Sequence, residues 1–501
     1  MGRIIVIGAG VGGLAVAARA AVKGHDVLVL EQGSRTGGKL HTLHHEGFAF
    51  DTGPSLFTLP AVYRDLFLKT GAALEDTVDL QEIEPGFFYR FADGTQLLMP
   101  GVGIGKAASA IGDALGGAAG EQWLSVMRRA AQMWQLTRAP VLQSPLDGWR
   151  SAARLTRSVS DVRTIGPMTS LRRLGNGSFT DARLVTLLDR YATYTGSDPR
   201  RAPAALATIP FIEQTFGIWH IGGGIGRLAS ALDERARERG VEIRTGARVS
   251  SISMRDDAVS GVRLDSGEEL PADMVISDGD SSELYGRLLP KSFLTNRVRR
   301  SLARQQPSFG GFVMLLALRG RTGGIAHHNV WFGPDPDAEF DQLFAARPVL
   351  NASPTIYACV PDDPLMRPDA EHESWFILVN APRHSSTGER GTINWRAADV
   401  AADYARLVLA QLAARGTDLR ERILWQQIQT PADLEDEVAA PAGAIYGMAS
   451  TGSMSTFRRP ANASPVPGLF LVGGSAHPGG GLPLVGMGAE LVAEAIGRAR
   501  R

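Results

Sequence analysis

An apolar strand that runs straight into a glycine turn opens this chain: Ile4-Ile5-Val6-Ile7 is followed by Gly8-Ala9-Gly10-Val11-Gly12-Gly13, the spacing G-x-G-x-x-G. In such a turn Gly8 permits the sharp change of direction from strand to helix. Gly10 removes the side chain that would block a pyrophosphate, and Gly13 lets the following helix pack closely on the strand with its N-terminal amides facing the phosphates. A helix of small residues, Leu14 to Val22, comes next, then Gly24 and a second strand, Asp26 to Leu30, which ends at Glu31. Glu31 lies 18 residues beyond Gly13, near the spacing of roughly 20 at which a carboxylate meets a ribose hydroxyl. The pattern predicts a dinucleotide held by Gly8, Gly10, Gly12, Gly13 and Glu31.

Length and charge bound the rest. A chain of 501 residues exceeds a single core, so two or three lobes are expected, with room to bury a large ligand. Fifty-two basic residues balance 52 acidic ones, so no global field points to nucleic acid or another polyanion. Cys359 is the only cysteine, which excludes an internal disulfide and a cysteine-built metal cluster and fits a reducing compartment. No metal-spaced histidine set stands out, and no metal is expected. The adjacent pairs His44-His45 and His327-His328 read as turn or surface residues, since neighbouring side chains on a strand point to opposite faces. No apolar run reaches the roughly 18 residues of a membrane span, and the first strand starts at Arg3 with no leader before it; a cytoplasmic, non-integral protein is expected.

Past Glu31, Arg35-Thr36-Gly37-Gly38-Lys39 sets a glycine pair between two cations, a pattern whose amides and side chains can wrap the far side of a pyrophosphate. An alternating stretch, Leu40 to Phe50, then leads to Asp51-Thr52-Gly53-Pro54-Ser55-Leu56. Residues 101 to 221 read as mostly helical. Between Arg128 and Arg201 stand thirteen Arg against five Asp, with no Lys or Glu. Interleaved with Trp123, Trp134, Trp149, Leu155, Ile165, Leu171 and Phe179, that segment could rest on anionic headgroups or form a solvated helical face with its tryptophans in the core. Strand and helix alternate again after a second glycine turn, Trp219 to Gly226, with a helix Ile225 to Arg239 and strands Val241–Thr245, Arg248–Met254, Ala258–Leu264 and Met274–Ser277. Strands Phe312–Leu318, Thr355–Cys359 and Trp375–Val379 and a helix Ala398–Arg415 make a second, mixed lobe. Near the end, Leu469-Phe470-Leu471-Val472 runs into Gly473-Gly474-Ser475-Ala476-His477-Pro478-Gly479-Gly480-Gly481-Leu482-Pro483-Leu484-Val485 and a closing helix, whose amides could face the pyrimidine end of a flavin.

Together the two terminal motifs, Asp51 to Ser55, Trp219 to Gly226, Asn380-Ala381-Pro382, Gly443 to Gly447 and His477-Pro478-Gly479-Gly480-Gly481-Leu482-Pro483 resemble the bacterial-type phytoene desaturase family. The closing glycine segment discriminates most, because the N-terminal motifs alone would equally suit monoamine oxidases or protoporphyrinogen oxidase. The resemblance implies FAD as cofactor and an α/β fold: a doubly wound Rossmann-type flavin domain, a mixed α+β substrate lobe and a helical lid. The boundaries expected are 1–100, 222–285 and 456–501 for a discontinuous FAD domain, 101–221 for the lid and membrane-contact region, and 286–455 for the substrate lobe. The cofactor envelope comprises Gly8, Gly10, Gly12, Gly13, Glu31, Arg35, Gly38, Lys39, Gly53, Pro54, Ser55, Leu56, Val249, Asp278, Gly473, Gly474, Pro483, Leu484 and Val485.

The activity implied is FAD-dependent desaturation of a C30 or C40 carotenoid at a membrane surface, with quinone or oxygen as electron acceptor. Gly479 to Pro483 looks nearer the members acting on already conjugated or hydroxylated carotenoids. Carotenoid isomerase or ketolase activity, a flavin amine oxidase on a soluble substrate, and a flavin-containing binding protein are the alternatives. Desaturation removes a hydride and a proton from adjacent carbons. Three residues are candidates for the proton: His477 in the glycine loop, His220 beside the second glycine turn and Glu213 shortly before it.

Overall fold

The computed structural model describes residues 2–147, 149–155, 158–452 and 455–499. Among them, five parallel strands form the first sheet, in the spatial order Leu469–Leu471, Met274–Ser277, Arg3–Ile7, Asp26–Leu30, Glu242–Arg244. The opening strand is apolar at every inner position because both faces of this sheet are covered. Ile4 and Val6 pack with the helices Val11–Val22, Gly226–Glu238 and Leu482–Ile496, whereas Ile5 and Ile7 turn to a second core formed with the meander Val249–Arg255, Ala258–Leu264 and Glu269–Pro271. The doubly wound, discontinuous flavin-type domain expected from the sequence is therefore present, drawn together from the N-terminus, the middle and the C-terminus of the chain.

A seven-stranded sheet builds the second lobe, in the order Ile423–Gln429, Gly310–Arg319, His372–Ala381, Ile356–Cys359, His328–Trp331, Phe87–Arg90, Gln96–Met99. Its long central pair runs antiparallel from Gly310↔Ala381 to Arg319↔His372. Phe312, Met314, Leu316 and Leu318 pack under the helix Val400–Ala414, and the alternate residues Val313, Leu315 and Ala317 point the other way, toward the first domain. The boundary at residue 100 needs correction here. Phe87–Arg90 and Gln96–Met99, assigned to the cofactor domain, instead extend this second sheet, Phe87–Arg90 running parallel to His328–Trp331; local alternation marks a strand but does not name its partner.

Helices Ile104–Leu115, Gly117–Thr137, Leu171–Ser178, Ala182–Thr193 and Thr208–Phe216 form the lid, around a core shared with Phe87, Tyr89, Leu97, Met99 and Val330 of the second sheet. Trp123, Trp134, Leu171 and Phe179 lie inside that core, not on an outer face. Several of the arginines are matched locally: Arg172 with Asp337 at 2.6 Å and with Asp189, Arg183 with Asp181 at 2.6 Å, and Arg200 with Asp198 at 2.9 Å. Trp149, Arg154 and Arg157 lie outside the described side chains. No helix among the described residues is long and apolar enough to cross a membrane.

Candidate functional site

A cavity of about 650 Å³ runs from the N-terminal glycine turn, between the two sheets, to the inner face of the lid. At the turn, Gly8 adopts φ +96°, a left-handed conformation that favours glycine. A Cβ on Gly13 would lie 2.2 Å from the Gly8 carbonyl oxygen, so Gly13 serves packing behind the turn, while Gly8, Gly10 and Gly12 line the cavity itself. Glu31 organises this end: its Oε2 accepts from the Ala9 amide at 2.8 Å and its Oε1 from the Gly33 amide at 2.7 Å. The segment that follows is zipped onto the same turn, with the Gly37 amide donating to the Ala9 carbonyl at 2.8 Å.

Asp278 closes the turn from the neighbouring strand. Its carboxyl lies against the turn: a Cβ on Gly10 or Gly12 would fall 2.4 Å from one of its oxygens, and the nearby amides of Gly13 and Gly10 favour its ionised form. Burial pushes its pKa up to about 7, with Glu31 also raising it and Lys39 opposing. These amides, emptied of side chains by glycine at a helix N-terminus, are a cradle for an anionic pyrophosphate, and the residues present fit FAD.

The remaining expected cofactor residues fall into two groups. Arg35, Gly38, Lys39, Gly53, Pro54, Ser55, Leu56, Val249, Gly473, Gly474, Pro483 and Val485 all line the cavity. Leu484 does not; it packs against the lid core. The two cations are already engaged: Arg35 forms an ion pair with Glu437 and donates to the Gly38 carbonyl at 3.0 Å, and Lys39 Nζ donates to the Ile445 carbonyl at 2.7 Å. Burial lowers the Lys39 pKa against the pull of Asp280 and Asp278. At the other glycine loop, Gly481 caps the helix Leu482–Ile496, and Tyr63 fixes its first turn by donating from its hydroxyl to the Leu482 carbonyl at 2.8 Å. That helix N-terminus thus opens onto the cavity through Leu482 and Pro483.

None of the three candidate bases lines this cavity. His477 is buried and turns its Nε2 to the Ser144 carbonyl oxygen, 3.1 Å away in the lid; burial lowers its pKa to about 4. His220 Nε2 lies 2.8 Å from Asp363 Oδ2, which also accepts from the Gly223 amide at 2.7 Å. Burial works against the Asp363 charge, yet these bonds and the Leu365 amide bring its pKa down to about 2. The second glycine turn therefore faces the hairpin Thr42–His45/Phe48–Asp51 and Asp363, not the cavity; Asp51 Oδ1 accepts from the Ile225 amide at 2.9 Å. Glu213 is buried and receives the Tyr191 hydroxyl at 3.1 Å.

The pair His327-His328 also requires correction. His328 is fully buried at the start of its strand, opposite Cys359, with Nδ1 2.8 Å from the Tyr357 hydroxyl, and His327 packs at a tilt of 58° against His220 with ring centres 5.0 Å apart. The two rings are not sent apart: His327 stands just before the strand, half-buried, and its ring meets that of His328 edge-on with centres 4.6 Å apart, so that with Cys359 they bring three ligand-type atoms within 4.8 Å of one another. Tyr357 carries this network into the cavity, since its hydroxyl also lies 2.8 Å from Ser55 Oγ.

Beyond the glycine loops the cavity becomes apolar, walled by Phe309, Val313, Phe332, Phe340, Phe376 and Leu378. Arg190, Tyr194, Tyr357 and Tyr446 also line it and were not singled out as site residues from the sequence. One signal was available for the first two: Arg190 and Tyr194 are four apart on a helix and so share a face. Tyr446 lies inside the Gly443–Gly447 segment that carries the family resemblance, whereas Tyr357 comes from a strand distant in sequence and carries no local mark.

Residues 11–322 match the family described as flavin containing amine oxidoreductase. Over 99% of its length the chain is 32% identical to 4,4'-diapolycopene oxygenase of Methylomonas sp, covering 98% of that protein. It is likewise 32% identical to hydroxyneurosporene desaturase of Rubrivivax gelatinosus, across 99% of this chain and 93% of the other. Among solved structures, cyclohexylamine oxidase from Brevibacterium oxydans shares the fold at a TM-score of 0.62 and 15% identity, each chain covered to 99%. An oxidoreductase from Methanosarcina mazei does so at 0.61 and 17% identity, over 98% of this chain and 100% of that one.

Proposed function

From the premise that this chain belongs to the flavin-containing amine oxidoreductases and is an FAD-dependent oxidoreductase, we propose that it desaturates a linear carotenoid, removing hydrogen from adjacent carbons of a long polyene. The observation that carries the reading is the continuity of the cavity: its glycine-lined end suits the cofactor, and its far end is a wall of phenylalanine and aliphatic side chains with room for an extended apolar chain. When bound, FAD supplies a two-electron acceptor for a hydride.

The protein's own residues bind, position and exclude water. Glu31 would receive the ribose, the amides of Gly10 and Gly12 the pyrophosphate, and the Gly481–Val485 turn the flavin end. Phe332, Phe376 and Leu378 hold the polyene, and the lid helix Ala182–Thr193 covers it. With His477, His220 and Glu213 outside the lining, placement of the reacting carbons supplies most of the rate effect, worth up to about 7–11 kcal/mol for well-oriented groups. Delocalisation over the polyene stabilises the cation that hydride loss leaves, and such a cation is still acidic enough to give its β-proton to water or another weak acceptor, without a strong base at one fixed atom. Tyr357, tied to Ser55 and His328, is the polar group best connected to the cavity and holds its hydroxyl in place there.

The substrate's insolubility makes a membrane surface its source. Val159 and Met168, exposed by 78% and 83%, stand beside the arginine-rich helices of the lid, a combination suited to shallow contact with anionic headgroups. Quinone or oxygen would reoxidise the cofactor.

Expression in cells that accumulate acyclic carotenes of graded conjugation tests the reading. A red shift of the extracted pigment, with a mass loss of two hydrogens per new double bond, supports desaturation; a gain of oxygen assigns the chain to terminal oxygenation instead. Unchanged pigment in every strain, with protein that purifies yellow, overturns it.

A further inference from the structure

Arg190 is the lid arginine that turns inward. It stands on the helix Ala182–Thr193, is 9% exposed and lines the cavity. Its guanidinium carbon sits among aromatic rings: 4.7 Å from the centre of Phe87, 5.1 Å from Tyr194, 5.5 Å from Tyr89 and 5.8 Å from Tyr357. Nη1 donates to the Tyr194 hydroxyl at 2.8 Å. Arg172, Arg183 and Arg200 of the same lid are each matched to a carboxylate, whereas among the described residues none lies within ion-pair distance of Arg190. Glu213, whose charge is felt by Arg190, is engaged at Oε1 by the Tyr191 hydroxyl.

A guanidinium carries five N–H donors and does not lose its proton in a protein. Aromatic faces offset part of the cost of burying its charge, but they offer no acceptor to the in-plane donors other than the one bonded to Tyr194. Taking such donors from water without replacing their bonds is unfavourable, so the site is complete only when an acceptor enters from the cavity. The same helix also brings Thr186, Asp189 and Thr193 to the lining, Asp189 being engaged by Arg172, while Phe332 walls the apolar side.

We propose that Arg190 and its ring of aromatic side chains form an end-group subsite, which receives the oxygen-bearing terminus (a hydroxyl, aldehyde or carboxylate) of a long apolar substrate. The inference rests on the reading of the cavity as a polyene site. It makes Arg190 the residue that selects already oxygenated polyenes over hydrocarbons: an oxygen restores the donors' bonds, and a methyl terminus leaves them unsatisfied and shut off from water. The second source of an acceptor in the same cavity is a carbonyl of the cofactor, and the experiment separates the two.

FAD-loaded, anaerobic protein is titrated in detergent with a linear polyene hydrocarbon and with the same chain bearing a terminal hydroxyl or aldehyde, following the polyene absorption band. Wild type is expected to bind the oxygenated chain at least tenfold more tightly. Arg190→Met should abolish that preference while keeping hydrocarbon affinity, Arg190→Lys should keep part of it, and in turnover the loss should appear in KM more than in kcat. If Arg190→Met does not fold, Arg190→Leu, which likewise removes every donor, gives the same comparison, and Arg190→Gln, which keeps two donors, should retain part of the preference. Equal binding of both polyenes by wild type overturns the subsite and leaves the polyene reading standing. Binding of neither polyene overturns both. A shifted flavin spectrum or potential in Arg190→Met, with the oxygen preference intact, assigns Arg190 to the cofactor and overturns the subsite.

Discussion

The carboxyl of Asp278 lies against Gly10 at the N-terminus of the helix that follows the first strand, so close that a Cβ on Gly10 would fall 2.4 Å from its Oδ2, and one on Gly12 2.4 Å from its Oδ1. It therefore stands beside the Gly10 and Gly12 amides that a pyrophosphate would use, on a group whose pKa burial has raised to about 7. An ionised Asp278 repels a phosphate there; a protonated one can donate to it.

Cofactor affinity should accordingly depend on pH. Bound pyrophosphate favours the neutral acid and raises its pKa further, so binding takes up a proton, and affinity falls as pH rises above 7, by at most about tenfold per pH unit. Flavin fluorescence titrations from pH 6 to pH 8.5 check this, with Asp278→Asn expected to flatten the profile. A wild-type profile as flat as the variant's would contradict it.

Glu213 offers a prediction on stability. Its pKa is raised from 4.5 to about 7, chiefly by burial, with Arg190 and Tyr191 pulling the other way. The folded state thus holds a proton that the unfolded chain has lost between those values, and stability declines as pH rises through that window. Glu213→Gln should leave stability nearly unchanged at pH 5 and raise it by about 1–3 kcal/mol at pH 8. Thermal unfolding at the two pH values decides, and an equal effect at both would exclude the proton linkage.

His477 should prove structural. A general base contributes roughly 10²–10⁴ to a rate, yet the ring of His477 bonds to Ser144 outside the cavity lining. His477→Gln should retain the rate of flavin reduction by substrate within about threefold, below that range, while lowering Tm through the lost tie to the lid. With its pKa near 4, His477 should also place no inflection in the activity profile between pH 5 and pH 8. A hundredfold loss of rate at unchanged Tm would restore it as the base.

Gly13→Ala sets a Cβ 2.2 Å from the Gly8 carbonyl oxygen, backbone against side chain with no flexible atom to give way. The strand and helix must separate, at a cost of about 1–3 kcal/mol, and the protein should purify with less flavin per chain. Normal flavin content at unchanged Tm would show that the turn can open without loss.

Much of the cofactor end was legible in the sequence because it is made by neighbours in the chain. The glycine turn, the strand ending at Glu31 and the glycine loop before the last helix are local grammar: periodicity names the element, and glycine marks where backbone must approach backbone or an anion. Expected strands such as Ala258–Leu264 and Met274–Ser277 appear at those residues. What lay beyond the sequence were the relations between distant segments. Nothing near Phe87 tells that its strand will run beside His328–Trp331, nor that the buried His328 will meet Tyr357. Side-chain chemistry nominated His477, His220 and Glu213, and packing turned all three away from the cavity while bringing Arg190 into it. A residue's type and its local element are written in the chain; which way it faces depends on what covers the other side, and only the folded assembly of sheets and lid decides that.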